Sequence, residues 1–186
     1  MNLARKRLRQ FQKFIQSELD SQHYAFDKKE PFLPLMVPSY SSEEVLEALD
    51  SLLTTNITMG EKVFKFEKMF ASYIGRKYGI MVNSGSSANL IAYSSLSNPM
   101  APDRLKSNFK AIIPAIAWST TLFPVYSSGG KPVLSDVTER SFLLTDTTIA
   151  KIPMSNVGLV VPVHLLGNPC DVSAIKRSIT ENVKIV

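Results

Sequence analysis

Ser84, Gly85, Ser86 and Ser87 sit where the apolar run "YGIMV" (78–82) gives way to the helix-like pattern "SSANLIAYSSL" (86–96). The chemistry such residues offer is oxyanion binding. The first N–H groups of a helix have no partner inside it and carry partial positive charge, so a phosphate docked there gains several hydrogen bonds at once. Gly85 permits close approach to the backbone, and the serine hydroxyls add donors. The spacing is neither a dinucleotide fingerprint nor a P-loop, because no Gly-x-Gly-x-x-Gly and no Gly-Lys-Ser/Thr is present. The same residues also suit a plain serine-capped turn with no ligand, since serine is a preferred N-cap. His164 and Asn168, in "VHLLGNP", fall at the end of another apolar run and in the loop after it. That position is the ligand edge of an open α/β sheet. A lone histidine is more commonly structural than catalytic, so both roles stay open for it. No metal site is expected.

The elements that must hold these residues follow from periodicity. After Gly75, short apolar runs alternate with helical or loop stretches: "YGIMV", "AIIPAI" (111–116), "KPVLSDV" (131–137), "VGLVVPVHL" (157–165) and "VKIV" (183–186). Continuous apolar runs of this length suit strands of a parallel sheet covered on both faces. Helices are predicted at Ser86–Leu96, Ser119–Ser127, Thr145–Lys151 and Asp171–Ile179. The alternation implies an α/β layered sheet with right-handed crossovers. Before Gly75, "SSEEVLEALDSLL" reads as a helix with Ser41 and Glu44 at capping-box spacing and an apolar stripe of Val45, Leu46, Leu49, Leu52 and Leu53. "EKVFKFEKMFASYIG" reads as a second amphipathic helix, with Val63, Phe66, Phe70 and Tyr73/Ile74 inward and Gly75 as its stop. Pro31, Pro34 and Pro38 make Asp27–Tyr40 an extended connector.

Composition narrows the class. At 186 residues the length suits one domain or part of a larger one, and 45% hydrophobic content supports a core. A single cysteine, Cys170, excludes an internal disulfide and fits a reducing, cytoplasmic setting. No apolar stretch approaches the roughly 20 residues of a membrane span, and no signal peptide is expected. Residues 1–30 hold seven Lys/Arg (Arg5, Lys6, Arg7, Arg9, Lys13, Lys28, Lys29) against four acids, part of a net charge of +5. A basic arm can bind nucleic acid. Here Leu8, Phe11, Ile15 and Leu19 recur at helical spacing, which makes those charges the wet face of an amphipathic helix, and no nucleic-acid partner is expected.

Four stretches come in one order: "GEKVFKFEKMFASYIGRKYGIMV", "NSGSSANL" (83–90), "AIIPAIAWSTTLFPVYSSGGKPVLSDV" (111–137) and "VPVHLLGNPCDVSAI" (161–175). Together they resemble the DegT/StrS-type family of pyridoxal-phosphate sugar aminotransferases. "VNSGSSANL", with "LSNP" soon after, is most similar to its branch of CDP-hexulose dehydrases. The resemblance covers about Leu52 to Val186. It implies the N-terminal part of the large domain of a fold-type I aminotransferase over residues 41–186, preceded by a helix and connector over 1–40. It implies that Gly85, Ser86 and Ser87 hold the phosphate of pyridoxal 5'-phosphate and that Trp118 stacks on the pyridine ring, a role an indole's flat face suits. A core tryptophan is the alternative for Trp118. Gly60 in "TMGE" resembles a glycine near the family's substrate entrance, and His164 and Asn168 would lie on the substrate side. Asp136 matches an acid at a strand end and reads as a cap or turn residue.

The resemblance further implies a sugar-nucleotide substrate, surface polysaccharide biosynthesis and a homodimer. Two groups that its chemistry needs are expected downstream of Val186. One is a carboxylate at the pyridine nitrogen. The other is a lysine, or a histidine in the dehydrase branch, at the reacting carbon. The sheet would end on a strand with an unpaired edge. Lys184 is no substitute, because it lies inside the predicted strand, before the ligand edge. The chain therefore reads as a fragment with no catalytic residue of its own. The alternatives are a non-catalytic phosphate-binding or partner-capping protein, and a basic-arm nucleic-acid binder.

Overall fold

Helix caps and strand alternation set the architecture, seen here in a computed structural model that describes residues 8–21, 26–34, 37 and 39–186. Arg5, Lys6 and Arg7 of the basic arm and Pro38 of the connector lie outside the described residues. The chain divides into two units, residues 1–81 and 82–186.

The first unit is helical. After a 3-10 turn at Arg9–Phe11 come α1 (Gln12–Asp20), α2 (Ser42–Leu53) and α3 (Glu61–Tyr73). Described residues of the 27–40 connector are in neither helix nor strand, as the prolines require. The predicted capping box opens α2: Ser41 Oγ accepts the Glu43 N–H at 3.2 Å, and Glu44 Oε2 accepts the Ser41 N–H at 2.7 Å. Lys62 reaches across to α2, pairing with Glu47 and Asp50, each at 2.9 Å. Gly75 ends α3 with φ +67°, a left-handed conformation that glycine adopts without strain.

Two expectations fail in this unit. Phe66, Phe70, Tyr73 and Ile74 do not point inward, and Leu52 and Leu53 are exposed as well. Ala71 is the one buried residue among those of α3. The amphipathic stripe exists, but among the described residues of this unit no sheet receives it. Phe66 and Phe70 stack on one another instead, with ring centroids 5.6 Å apart. The run "YGIMV" is not a strand either. Its Met81 N–H donates to the Glu67 carboxylate at 2.8 Å rather than to a ladder, and Tyr78, Ile80 and Met81 are exposed.

The second unit carries the sheet. In order come α4 (Gly85–Leu96), β1 (Lys110–Pro114), α5 (Ser119–Ser127), β2 (Lys131–Ser135), α6 (Asp146–Ile149), β3 (Val157–Val160), α7 (Val172–Ser178) and β4 (Lys184–Ile185). All four strands pair in parallel in the order β2-β1-β3-β4. Successive side chains of a strand face opposite ways, and the core divides accordingly. Ala111, Ile113, Leu159 and Val161 pack with Tyr93 of α4 and Val125 of α5 on one face. Ile112 and Val160 pack with Leu144, Ile149 of α6 and Ile175 of α7 on the other. Each fully buried Ile or Leu contributes about 1.5–3 kcal/mol relative to exposure. Gly130 lets β2 approach: a Cβ there would lie 2.5 Å from the Phe109 ring. The result is the α/β/α layering that the continuous apolar runs predict.

Candidate functional site

The site is built where α4 and α5 begin. Leu96, the last residue of α4, accepts the Leu105 N–H at 2.8 Å. Leu105 in turn packs against Gly158, at the start of β3. The C-terminus of α4 is thus at the amino edge of the strands, and its N-terminus reaches the carboxyl edge. α5 starts at that edge too, since Ser119 lies five residues beyond the end of β1. Ligands gather at this edge of open α/β sheets.

The start of α4 is hydrogen-bonded selectively. Ser84 is the N-cap, with extended backbone, and its Oγ accepts the Ser87 N–H at 3.2 Å. The Ser87 hydroxyl donates to Asn83 Oδ1 at 2.7 Å, while the Ser84 hydroxyl donates to Ser87 Oγ at 3.2 Å. The first backbone bond of the helix runs from the Ala88 N–H to the Ser84 carbonyl. Among the described residues, the N–H groups of Gly85 and Ser86 and the Ser86 hydroxyl have no protein partner. Gly85 and Ser86 are exposed, and a Cβ built on Gly85 meets nothing within 4 Å. No acidic residue stands in the first turn of α4. This cup has two unpartnered backbone donors, one hydroxyl donor and no acid in its first turn, which suits a phosphate monoester. The geometry narrows the expectation for Ser87, whose N–H and hydroxyl proton are both committed within the protein.

Trp118 is the N-cap residue of α5 and is 76% exposed, so it is not a core tryptophan. The first turn of α5 also lacks an acid. Two side chains of α4 tie this helix to the first turn of α5. Asn89 Nδ2 donates to the Thr120 carbonyl at 3.2 Å, and the Tyr93 hydroxyl donates to the Thr121 carbonyl at 3.2 Å. Asn89 is one helical turn from Ser86, and Thr120 is two residues from Trp118. Trp118 and the start of α4 therefore lie on two helices that are bonded to each other and begin at the same sheet edge. Tyr93 is fully buried, and burial pushes its phenol up to about 12, which keeps it a donor at any working pH.

His164 is exposed past the end of β3, and its Nδ1 accepts the Cys170 N–H at 3.0 Å. That bond fixes the proton of the neutral ring on Nε2. The Cys170 thiol donates to the Val163 carbonyl at 3.2 Å, and burial raises its pKa. Asn168 Nδ2 donates to the Ser141 carbonyl at 3.5 Å. Asp136, just past β2, accepts the N–H of Val137 at 2.9 Å, a turn role. Gly60 is the N-cap of α3 in the first unit. Lys184 pairs with Asp103, which lies between α4 and Leu105 at the amino edge, away from the cup; the ammonium holds the Asp103 carboxyl below its ordinary range. Among the described residues, no group of three His, Cys, Asp or Glu could hold a metal ion, and no helix is long and apolar enough to cross a membrane.

Sequence reasoning missed Asn83, Asn89 and Tyr93. Asn89 carried a usable signal, because it lies three residues after Ser86 on the same predicted helix, next to the cup. Asn83 carried a local one as well, four residues before Ser87, whereas Tyr93 gave none, since its partner 28 residues on is set by packing.

Fold and site together define an α/β/α protein with an oxyanion cup and an exposed flat ring at the carboxyl edge of a parallel sheet. The profile of the DegT/DnrJ/EryC1/StrS aminotransferase family matches residues 38–186, and the chain belongs to that family. It is 35% identical over 153 residues to the GDP-4-keto-6-deoxy-D-mannose 3-dehydratase of Yersinia pseudotuberculosis, covering 82% of this chain and 38% of that protein. A solved E. coli GDP-4-keto-6-deoxy-D-mannose-3-dehydratase with bound hydrated PLP matches with TM-score 0.74 at 30% identity, over 82% of this chain and 39% of that one. The aminotransferase from Psychrobacter cryohalolentis matches with TM-score 0.71 at 26% identity, over 83% and 38%. The chain thus spans under two-fifths of the length of these relatives. The dehydratases are named for a GDP-linked sugar, whereas the motifs resemble the CDP-hexulose branch.

Proposed function

We propose that this chain grips the phosphate of pyridoxal 5'-phosphate at the start of α4 and carries its pyridine ring against Trp118. The activity proposed for the whole protein is amino transfer to, or dehydration of, a keto-sugar nucleotide. The setting proposed for it is surface polysaccharide biosynthesis, as a cytoplasmic homodimer. The observation that carries the reading is the pair of unpartnered N–H groups at Gly85 and Ser86, on the same edge as an exposed indole. When bound, the cofactor supplies an electron sink for carbanion chemistry next to its ring.

The residues of this chain do the holding. Gly85 and Ser86 donate backbone N–H bonds to phosphate oxygens, and the Ser86 hydroxyl adds a third. Ser84 and Asn83 keep Ser87 in place, so that the first turn does not close over the cup. Trp118 offers one face to a flat ring. His164, through Nε2–H, and Asn168 are assigned to the substrate side, and Gly60 to the entrance. Turnover is assigned to none of these residues, and a non-catalytic binding protein would hold the same ligand.

The test uses pyridoxamine 5'-phosphate, which has no aldehyde to react with surface lysines. Trp118 is the only tryptophan, so its fluorescence reports on the site. Saturable quenching, competed by inorganic phosphate, is expected. Gly85→Pro removes one N–H while proline at the first helical position leaves the helix intact. The extended backbone of Ser84 accepts a following proline. Losing one charge-assisted bond, about 1.5–3 kcal/mol, should weaken both ligands about tenfold or more without lowering thermal stability. Unchanged affinity in that variant, or no saturation in the parent, would remove the assignment.

A further inference from the structure

Pro124 stands inside α5 and is buried. A proline has no N–H to give to the carbonyl four residues before it, and its ring crowds that carbonyl. Four residues before Pro124 is Thr120. The Thr120 carbonyl is met from outside its own helix, by Asn89 Nδ2 of α4 at 3.2 Å. Only the NH2 end of an amide can donate to a carbonyl, so the orientation of Asn89 is fixed by its partner. The acceptor that Pro124 leaves open is therefore filled from the very helix whose start forms the anion cup. The Tyr93 hydroxyl, one turn further along α4, adds a second strut to the neighbouring Thr121 carbonyl.

We propose that Asn89 is a positioning residue that registers the phosphate cup against Trp118, using a carbonyl that Pro124 makes available. The proposal rests on the cofactor reading above. A cofactor's phosphate and ring are joined by fixed covalent geometry, so cup and indole must keep a set separation. Displacements of about an ångström between such groups are costly. Asn89 is one turn from Ser86 and Thr120 two residues from Trp118, so their bond is the polar tie placed to hold that separation. A lone phosphate touches only the start of α4 and does not depend on it.

The test uses the full 186-residue chain, the variants Asn89→Ala, Pro124→Ala and their combination, and two kinds of measurement. One is thermal unfolding without ligand. The other is affinity for pyridoxamine 5'-phosphate and for inorganic phosphate, each measured by calorimetry. Asn89→Ala should leave phosphate affinity within about twofold and weaken pyridoxamine phosphate about tenfold. Pro124→Ala alone, whose new N–H can share the Thr120 carbonyl with Asn89, is the reference against which the combination is read. In the combination, the backbone N–H gained by Pro124→Ala meets the Thr120 carbonyl, so thermal stability should return toward that of the parent while pyridoxamine phosphate affinity stays low. Restored pyridoxamine phosphate affinity in the combination would overturn the proposal, because Asn89 would then only be satisfying a carbonyl. An equal loss for both ligands in Asn89→Ala would overturn it as well. Should Asn89→Ala not fold, the combination compared with Pro124→Ala decides the same point. A parent chain that binds neither ligand refutes the cofactor reading itself, an outcome distinct from a binding parent that Asn89→Ala leaves unchanged.

Discussion

Helices α2 and α4 begin with the same residue type in the same backbone conformation, and they treat their first turns in opposite ways. Ser41 and Ser84 are both N-caps with extended φ and ψ, and each accepts an N–H from the first turn. At α2 the third helical residue is Glu44, whose carboxylate returns to the Ser41 N–H and hydroxyl, both at 2.7 Å. Glu43 adds a second acid in that turn. At α4 the third residue is Ser87, which turns back to Asn83, and no acid follows. One helix start carries its own anion; the other leaves the Gly85 and Ser86 N–H groups without a partner among the described residues. A serine cap thus leaves room for an outside anion when the residue three places on is not an acid.

Making the second start resemble the first gives the largest expected effect. Ser86→Asp sets a carboxylate in the cup. A unit charge about 4 Å from a phosphate dianion costs on the order of 4 kcal/mol per charge at an effective dielectric of 20. Affinity for pyridoxamine 5'-phosphate should fall about 100-fold or more, read by quenching of Trp118. The helix itself should gain about 0.3–1 kcal/mol, because an acid in the first turn complements the dipole. Weaker binding together with equal or higher thermal stability is the signature; binding that survives the added charge would erase the contrast between α2 and α4.

Removing the ring partner sharpens the contrast by separating phosphate from cofactor. Trp118→Ala should weaken pyridoxamine 5'-phosphate about 3–10-fold, as the loss of one aromatic contact implies, and leave inorganic phosphate unchanged. Equilibrium dialysis checks it, since the fluorescent reporter is gone. Stability should barely move, because the indole is mostly exposed. Equal weakening of both ligands would mean that Trp118 shapes the loop rather than meeting a ring.

The residues of this contrast show what a sequence reader can and cannot see. Ser41 with Glu44 is a local pattern, and the capping box forms as the spacing demands. Four apolar runs become four parallel strands, because each is flanked by turn residues and the sheet they form is covered on both faces. "YGIMV" has the same local character and fails as a strand, because pairing needs a neighbour and Met81 finds the Glu67 carboxylate instead. The stripe of Phe66 and Phe70 is periodic, but periodicity does not name the surface that would cover it. At the site, type and motif order single out Gly85, Ser86 and Trp118, and the structure leaves all three exposed at helix starts. The tie between their helices was not legible, since it depends on Asn89 and Thr120, 31 residues apart, meeting in space.

The smallest expected effect lies at the helix start that needs no ligand. Two hydrogen bonds from Ser41 hold the Glu44 carboxyl below its ordinary value of 4.5. A carboxyl whose folded pKa is depressed contributes stability above its unfolded pKa and loses it as pH falls through the folded one. The contribution of Glu44 should therefore be complete at neutral pH and decline on acidification below about 4.5, whereas Glu44→Gln should flatten that part of the profile. Ser41→Ala removes the hydroxyl that caps the Glu43 N–H and donates to Glu44, and should cost about 1 kcal/mol. Denaturant unfolding at pH 7 reads that loss, with less difference from the parent in acid. Neither variant should alter pyridoxamine phosphate binding, because the anion that α2 uses belongs to the protein. A loss of cofactor affinity on cutting this cap would show that the two helix starts do not act independently.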